Sequence, residues 1–352
     1  MLKCKHLIIR SLIIFLGFSA LLSCKGTNTF TGRTHIVTDT LLTEKISIRA
    51  LLLADNKLWF GADKGRIGYY NLDTDKQMTK VINESAGEFR SIAGNGSVYF
   101  INAGTPALLY KVSPDGKTAE IVYQENHPKA FYDSMRFWNE NEGIAIGDPT
   151  ENCLSVLITR NGGQTWDKLS CGDLPKTVEG EAAFAASNTN LIVKGNQVWI
   201  VSGGKKARVF NSTDKGKSWQ VFETPIVQGE AMTGIFSADF YNENTGFISG
   251  GNYGKPESNN RNKAMTSDGG KTWQLVADNS GFGYASCVQF IPGGKGKKIV
   301  SVGASGLQYS SDAGKSWTQL LADPTLYTII FKDNKTAFAA GKDKIIRITF
   351  KQ

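Results

Sequence analysis

Arginines, carboxylates and tyrosines recur in this chain at one kind of position, just before or just inside the first apolar strand of a repeating unit. They are Arg49, Arg90, Asp133, Glu179 with Glu181, Glu230, Tyr284 and Tyr327. Such groups converging on one surface suit an anionic or sugar-like ligand, because a guanidinium forms paired, charge-assisted bonds with carboxylate oxygens. The alternative is a ring of ion pairs that satisfy one another. A second set, Asp63, Lys64, Asp148, Lys205, Lys206, Asn252, Tyr253 and Arg261, follows the second strand of each unit. The longest of these loops runs from Asn252 to Lys263, and long polar loops on a rigid scaffold are where binding usually resides. No cysteine pair has zinc-ligand spacing, and the three histidines are far apart, so no metal is expected. No dinucleotide fingerprint in a strand–helix context and no haem-attachment motif is present, so no cofactor is expected.

A repeat must position these residues. Four segments share one pattern: Thr159 to Trp166 through Asn161, Ser212 to Trp219 through Asp214, Thr266 to Trp273 through Asp268, and Ser310 to Trp317 through Asp312. Their chemistry is structural. The Ser/Thr hydroxyl and the Asp or Asn side chain can bond backbone groups of the same turn. The glycine supplies a positive φ, and the Trp ring packs on the neighbouring sheet. A looser repeat of apolar strands rich in small residues, most of them ending in Gly, precedes each turn. Gly143–Gly147, Val198–Gly203, Gly246–Gly251 and Ile299–Gly303 are the clear copies, and Leu58–Gly61, Val98–Ile101 and Ala337–Gly341 are the degenerate ones. Units of roughly 40–50 residues hold four short strands each. First strands would begin near Ile48, Phe89, Ser134, Ala182, Gly234, Ala285 and Thr328, and Thr34–Leu41 would supply a missing last strand. The expected fold is all-β: a seven-bladed β-propeller of four-stranded antiparallel blades, closed by an N-terminal strand. In that fold the candidate residues share the face opposite the four repeated turns.

The four turns resemble the Asp-box, or BNR repeat. That box occurs in sialidases, which need three arginines on the substrate carboxylate, an acidic acid/base and a Tyr–Glu pair. Arg49 and Arg90 could stand for two of the arginines, with no evident third. The closer resemblance, over residues 31–350, is to the photosystem II stability/assembly factor-like family. It is carried by the starts at Arg49 and Arg90, the Gly-ended strands and the Trp-ended box. That resemblance implies a non-enzymatic binding or assembly role, acting on a protein or glycan partner through an arginine-containing face. A sialidase-like exo-glycosidase and a non-hydrolytic polysaccharide-binding protein are the alternatives.

The N-terminus addresses the chain. Lys3, Lys5 and Arg10 precede and enter an apolar run to Leu22, as in a secretory leader. Leu21-Leu22-Ser23-Cys24 resembles a lipobox, with Leu22 a departure from the usual small residue. The expected organisation is a leader at 1–23, lipidated Cys24 and a tether at 24–30, and the propeller at 31–352. An acylated Cys24 would anchor the protein in a membrane, and Lys25 favours the outer membrane of a cell envelope. Net charge is +8 over 352 residues, and losing Lys3, Lys5 and Arg10 leaves +5. That is too mild, without a longer basic stripe, for a nucleic-acid partner. A monomer is expected. Cys153 and Cys171 flank Gly162 symmetrically, so an antiparallel hairpin centred there would face them for a disulfide. A one-residue bulge would spoil that register.

Overall fold

Val, Ile, Phe, Tyr and Trp are gathered into short runs punctuated by Gly, Asn and Asp, and those runs form strands. The computed structural model describes residues 34–351. The expected leader, Cys24 and the tether lie outside the described residues. Among the described residues the helical element is a single 3-10 turn, Glu84–Ala86, and everything else regular is antiparallel β.

The described chain is a β-propeller, but the expected seven separate blades are corrected. The strands hydrogen-bond into six sheets, so counted by its sheets the propeller has six blades, not seven. Four sheets have four strands, beginning at Glu88–Gly94, Tyr132–Phe137, Leu191–Lys194 and Ala285–Phe290. Two have six strands. The reason is strand continuity. His35–Ala54 is one unbroken strand of 20 residues. Its first part pairs with the end of the last long strand, Thr336–Lys351, as Ile36 with Phe350. Its second part pairs with Lys57–Ala62, as Leu51 with Phe60. Two sequence repeats therefore run into one sheet where the chain ends meet. The other six-stranded sheet arises where Gly203 bridges to Gly234, joining Glu181–Ala182 to the sheet of Thr233–Phe240.

Successive first strands touch one another in a ring, and Leu326–Phe331 returns to His35–Ala54. Second strands such as Gly143–Gly147 and Ile299–Gly303 are buried throughout. Sheets stacked on both faces leave them no solvent side, hence their small and β-branched residues. Large rings, among them Phe60, Phe89, Phe100, Trp199 and Phe247, fill the space between sheets. Each contributes about 2 kcal/mol of burial.

The first strands share a device that the sequence pattern hides. Six of them carry a register shift near their start, which leaves one residue unpaired. Those residues are Arg49, Arg90, Asp133, Phe236, Ser286 and Tyr327. A bulge re-aims its side chain, and five of the six, all but Asp133, line the channel mouth. Opposite most of them lies a glycine at or next to the end of the second strand, whereas Arg90 faces Ile101 and Asn102. A Cβ on Gly303 would come within 2.5 Å of the Tyr284 carbonyl, and one on Gly147 would meet the Phe131 carbonyl.

The fourth unit replaces the one-residue bulge with an excursion. Glu181–Ala182 pairs with Gly203–Gly204, the chain leaves the sheet, and pairing resumes at Leu191 with Ile200. The first strand of this unit is therefore Leu191–Lys194, not a strand continuing from Ala182. Residues 183–190 plug the channel. Asn188 is the keystone. Its Nδ2 donates to the Ile92 carbonyl at 2.9 Å, and its Oδ1 accepts from Ser134 Oγ at 3.1 Å and Met135 N at 3.3 Å. Arg136 donates to its carbonyl. Ser187 donates to the Ser286 carbonyl and accepts from Thr328 at 3.3 Å. Thr189 bonds Ser237 at 2.7 Å and accepts from Ala238 N. The plug thus bonds first strands from all round the ring.

Candidate functional site: a blind bowl above the plug

With the channel plugged, the mouth is a bowl whose floor is Phe184, Ala185 and Ala186. It holds two hollows that share Arg49, Tyr253 and Tyr284. The larger, ≈ 310 Å³, is completed by Pro256, Ser286, Gly303, Ala304, Pro324, Leu326 and Tyr327. The smaller, ≈ 200 Å³, is completed by Arg90, Met232, Phe236 and the floor. The walls are aromatic and rigid. Phe184 stacks on Phe236 at 4.1 Å between centroids, Phe236 meets Tyr284 edge-on at 4.8 Å, and Tyr253 meets Tyr284 at 5.2 Å. Tyr253 is half exposed at the rim, with Met232 close to that at 43%.

Arg49 is the centre of the bowl. Its guanidinium lies 4.2 Å from the Tyr327 ring centroid, and its Nη1 donates to the Ala186 carbonyl at 3.3 Å. Its Nε is buried and has no acceptor, and among the described residues no carboxylate pairs with it. A half-buried cation with an unused donor, in an aromatic setting, attracts an anion. Arg90 differs, being ion-paired with Glu88. Burial raises the Tyr284 phenol above its usual range, against the pull of Arg49 and Arg90, so it stays a neutral donor.

The remaining sequence candidates separate. Asp133 is wholly buried and both its oxygens lack partners. Burial first, and Asp148 second, push its carboxyl well above the usual range. It lines neither hollow. Glu181 is buried and held by Arg208 and by Ser202 Oγ at 2.6 Å, so it is an internal ion pair that steadies the fourth unit. Glu230 is exposed, and its Oε2 accepts from Asn252 at 3.4 Å. Glu179 is exposed outside the hollows. The bowl gathers Arg49, Arg90, Tyr284 and Tyr327 and leaves out the four carboxylates. Phe184, Met232, Phe236 and Ser286 escaped the sequence reading. Phe236 and Ser286 sit at the same bulge offset as Arg49, so the offset itself was the available signal.

The four repeated turns lie on the other face. Each donates a backbone N–H to the turn joining its unit's first two strands, as Gly162 to Asn141 and Gly269 to Asn244. In the third, Asp268 Oδ1 accepts from Thr266 Oγ1 at 2.7 Å, Lys271 N at 3.1 Å and Thr272 N at 2.9 Å, and Oδ2 accepts from Thr272 Oγ1 at 2.6 Å. Asp214 and Asp312 repeat this around Ser218 and Ser316, and Asn161 does so around Thr165. Trp219, Trp273 and Trp317 each bond the turn's own glycine carbonyl, whereas Trp166 packs without such a bond. A disulfide joins Cys153 and Cys171. The strands there pair Leu157 with Lys168 and Ile158 with Asp167, one residue off the symmetric register, so the bridge forms beyond the ladder rather than across it.

Among the described residues, no group of three or more His, Cys, Asp or Glu side chains could hold a metal ion. No family model matches the chain. A "Probable oligoxyloglucan-reducing end-specific xyloglucanase" of Neosartorya fischeri is 21% identical over 259 residues, covering 68% of this chain. The chain spans about a third of that relative's length (31%). Among solved structures, "YCF48 bound to D1 peptide" is similar at a TM-score of 0.64 and 13% identity, covering 90% of this chain and 97% of that one. The GH74 enzyme of Niastella koreensis is similar at 0.57 and 14%, covering 87% of this chain and 43% of that one. These likenesses establish the β-propeller fold.

Proposed function

We propose that this propeller is a non-enzymatic binding or assembly protein that captures an anionic segment of a protein or glycan partner in the bowl around Arg49. In this reading the four turns are Asp-box turns of the structural face, and a lipid on Cys24 holds the protein as a monomer at the envelope, on the outer membrane. The observation that carries it is Arg49: a cation without a carboxylate partner, with an unused buried donor, in a hollow walled by Tyr253, Tyr284 and Tyr327. The likeness to a propeller solved with a bound peptide supports it. Against hydrolysis, neither hollow is lined by an Asp or Glu, whereas a glycosidase flanks the scissile bond with two carboxyls. The test is crosslinking in cells from a photoreactive residue at Met232. A discrete partner should be recovered from the native protein, with yield falling about tenfold or more in Arg49→Ala, the scale of one charge-assisted bond. Turnover of sialosides or β-glucans by the purified protein would overturn the reading.

A further inference from the structure

The plug has a chemical latch at its root. Asp148 follows the glycine that ends the second strand of the third unit, and its Oδ1 accepts the Ala183 N–H at 3.0 Å where the plug leaves the sheet. Asp133, the bulge residue of the same unit, lies across that strand pairing. It is fully buried, with neither oxygen bonded. Two neighbouring buried carboxyls resist being ionised together. The charges acting on them are few. Arg90 from the neighbouring first strand pulls on Asp133, and is itself held by Glu88. On the plug side, Glu181 is taken up by Arg208.

We propose that the Asp133–Asp148 pair is a proton-closed latch on the channel plug: the neutral pair holds residues 183–190 in the channel, and ionisation of Asp148 beside the neutral Asp133 loosens that hold. The sign follows from burial. Burial pushes the Asp148 carboxyl up to about 7, against the bond from Ala183 N, so the closed plug binds protons more tightly than an open one would. Protonation still leaves a carbonyl oxygen to accept from Ala183. Closure is strengthened as pH falls through 7 and weakened as it rises. Since Phe184–Ala186 floor the bowl, the latch would govern the ligand site. That consequence rests on the binding role proposed above, but the latch itself is measured without ligand.

Hydrogen exchange of the intact, ligand-free protein tests it, as protection factors for residues 183–190 corrected for intrinsic rates, with 285–290 as reference. Protection of the plug should rise about tenfold from pH 8.5 to pH 6, the change a carboxyl titrating near 7 produces when opening restores its ordinary value. The reference strand should not change. Asp148→Asn, which keeps the acceptor and cannot ionise, should be protected at every pH. Asp133→Asn, which replaces a carboxyl already neutral in this range, should leave the midpoint where it is. A flat wild-type profile overturns the latch, whatever the variants do, as does a profile in Asp148→Asn that follows the wild type. Loss of partner capture in Arg49→Ala is read separately, so either idea can fail alone.

Discussion

The two faces of this propeller solve opposite problems with similar residues. On the turn face, Asp214, Asp268 and Asp312 each spend their oxygens on the hydroxyls and N–H groups of a single eight-residue turn. On the mouth face, Asp133 and Arg49 hold unused bonding groups in buried settings. The difference lies in where the bonds close. A turn closes the bonds of its Asp within a few residues of sequence, so that set is complete as soon as the turn forms. The mouth is assembled from bulges on six first strands and a plug from the fourth unit, so its groups meet only in the finished ring. Saturated local turns can recur as near-copies. Bulge residues at one geometric position can vary from Arg to Asp to Phe, and that variation is where a ligand site can be built.

The contrast breaks hardest at Asn188. If the mouth depends on long-range closure, Asn188→Ala should be costly, because it strands the Ile92 carbonyl, the Ser134 hydroxyl and the Met135 N–H in the buried channel. About 3 kcal/mol is expected, at roughly 1 kcal/mol for each stranded group. Chemical denaturation with an unchanged slope measures it. A loss within a few tenths would mean that the plug is a passenger in the channel.

What could be read in the sequence divides along the same line. The Trp-ended turns are contiguous, so Ser212 to Trp219 and its copies could be recognised residue by residue, and with them the repeat, the all-β class and the face opposite the turns. The arginines at 49 and 90 were visible because they head strands that begin alike. The number of sheets was not, because a count of repeats cannot tell whether His35–Ala54 breaks or runs on between partners. Nor was the plug: Ala183–Asn190 is a small, polar and apolar mixture with no period, and its meaning lies in bonds to residues up to 141 positions away, as Ser187 to Thr328. The acidic candidates failed for a related reason. Position placed Glu181 and Asp133 near the mouth, but whether each faces the bowl or is folded inward depends on Arg208 and on the bulge.

A smaller effect sharpens the comparison from the other side. Asp268→Ala removes bonds that serve one exposed turn, so about 1 kcal/mol is expected, with partner capture at the bowl unchanged. Asn at the same position should recover most of that loss, as Asn161 serves in the first turn. A Asp268→Ala protein that melts normally but no longer captures its partner would reverse the assignment of the two faces.

The smallest effect is read in pH, where the faces should titrate with opposite signs. Around Asp214 and Asp268 desolvation is the largest single influence and works upward, but the hydroxyl and backbone bonds together, led by those from Ser218 and Thr272, outweigh it and hold both carboxyls at about 2. A depressed folded value means that these bonds contribute fully above the ordinary carboxylate range and are lost as pH falls from about 4 toward 2. Asp148 is raised, so its contribution instead grows as pH falls from above 7. Stability followed by thermal unfolding should therefore rise from pH 8.5 toward 5 and decline below 4. The exposed turns make the acid limb shallow, since solvent screens them. The double variant Asp214→Asn, Asp268→Asn should make the acid limb shallower and leave the upper one, with Glu142 and Asp312 among the carboxyls that keep what remains, and Asp148→Asn should flatten the upper limb and leave the acid one. A single variant that flattened both limbs would show that the two faces are one coupled network, and the division between saturated turns and an unsaturated mouth would have to be given up.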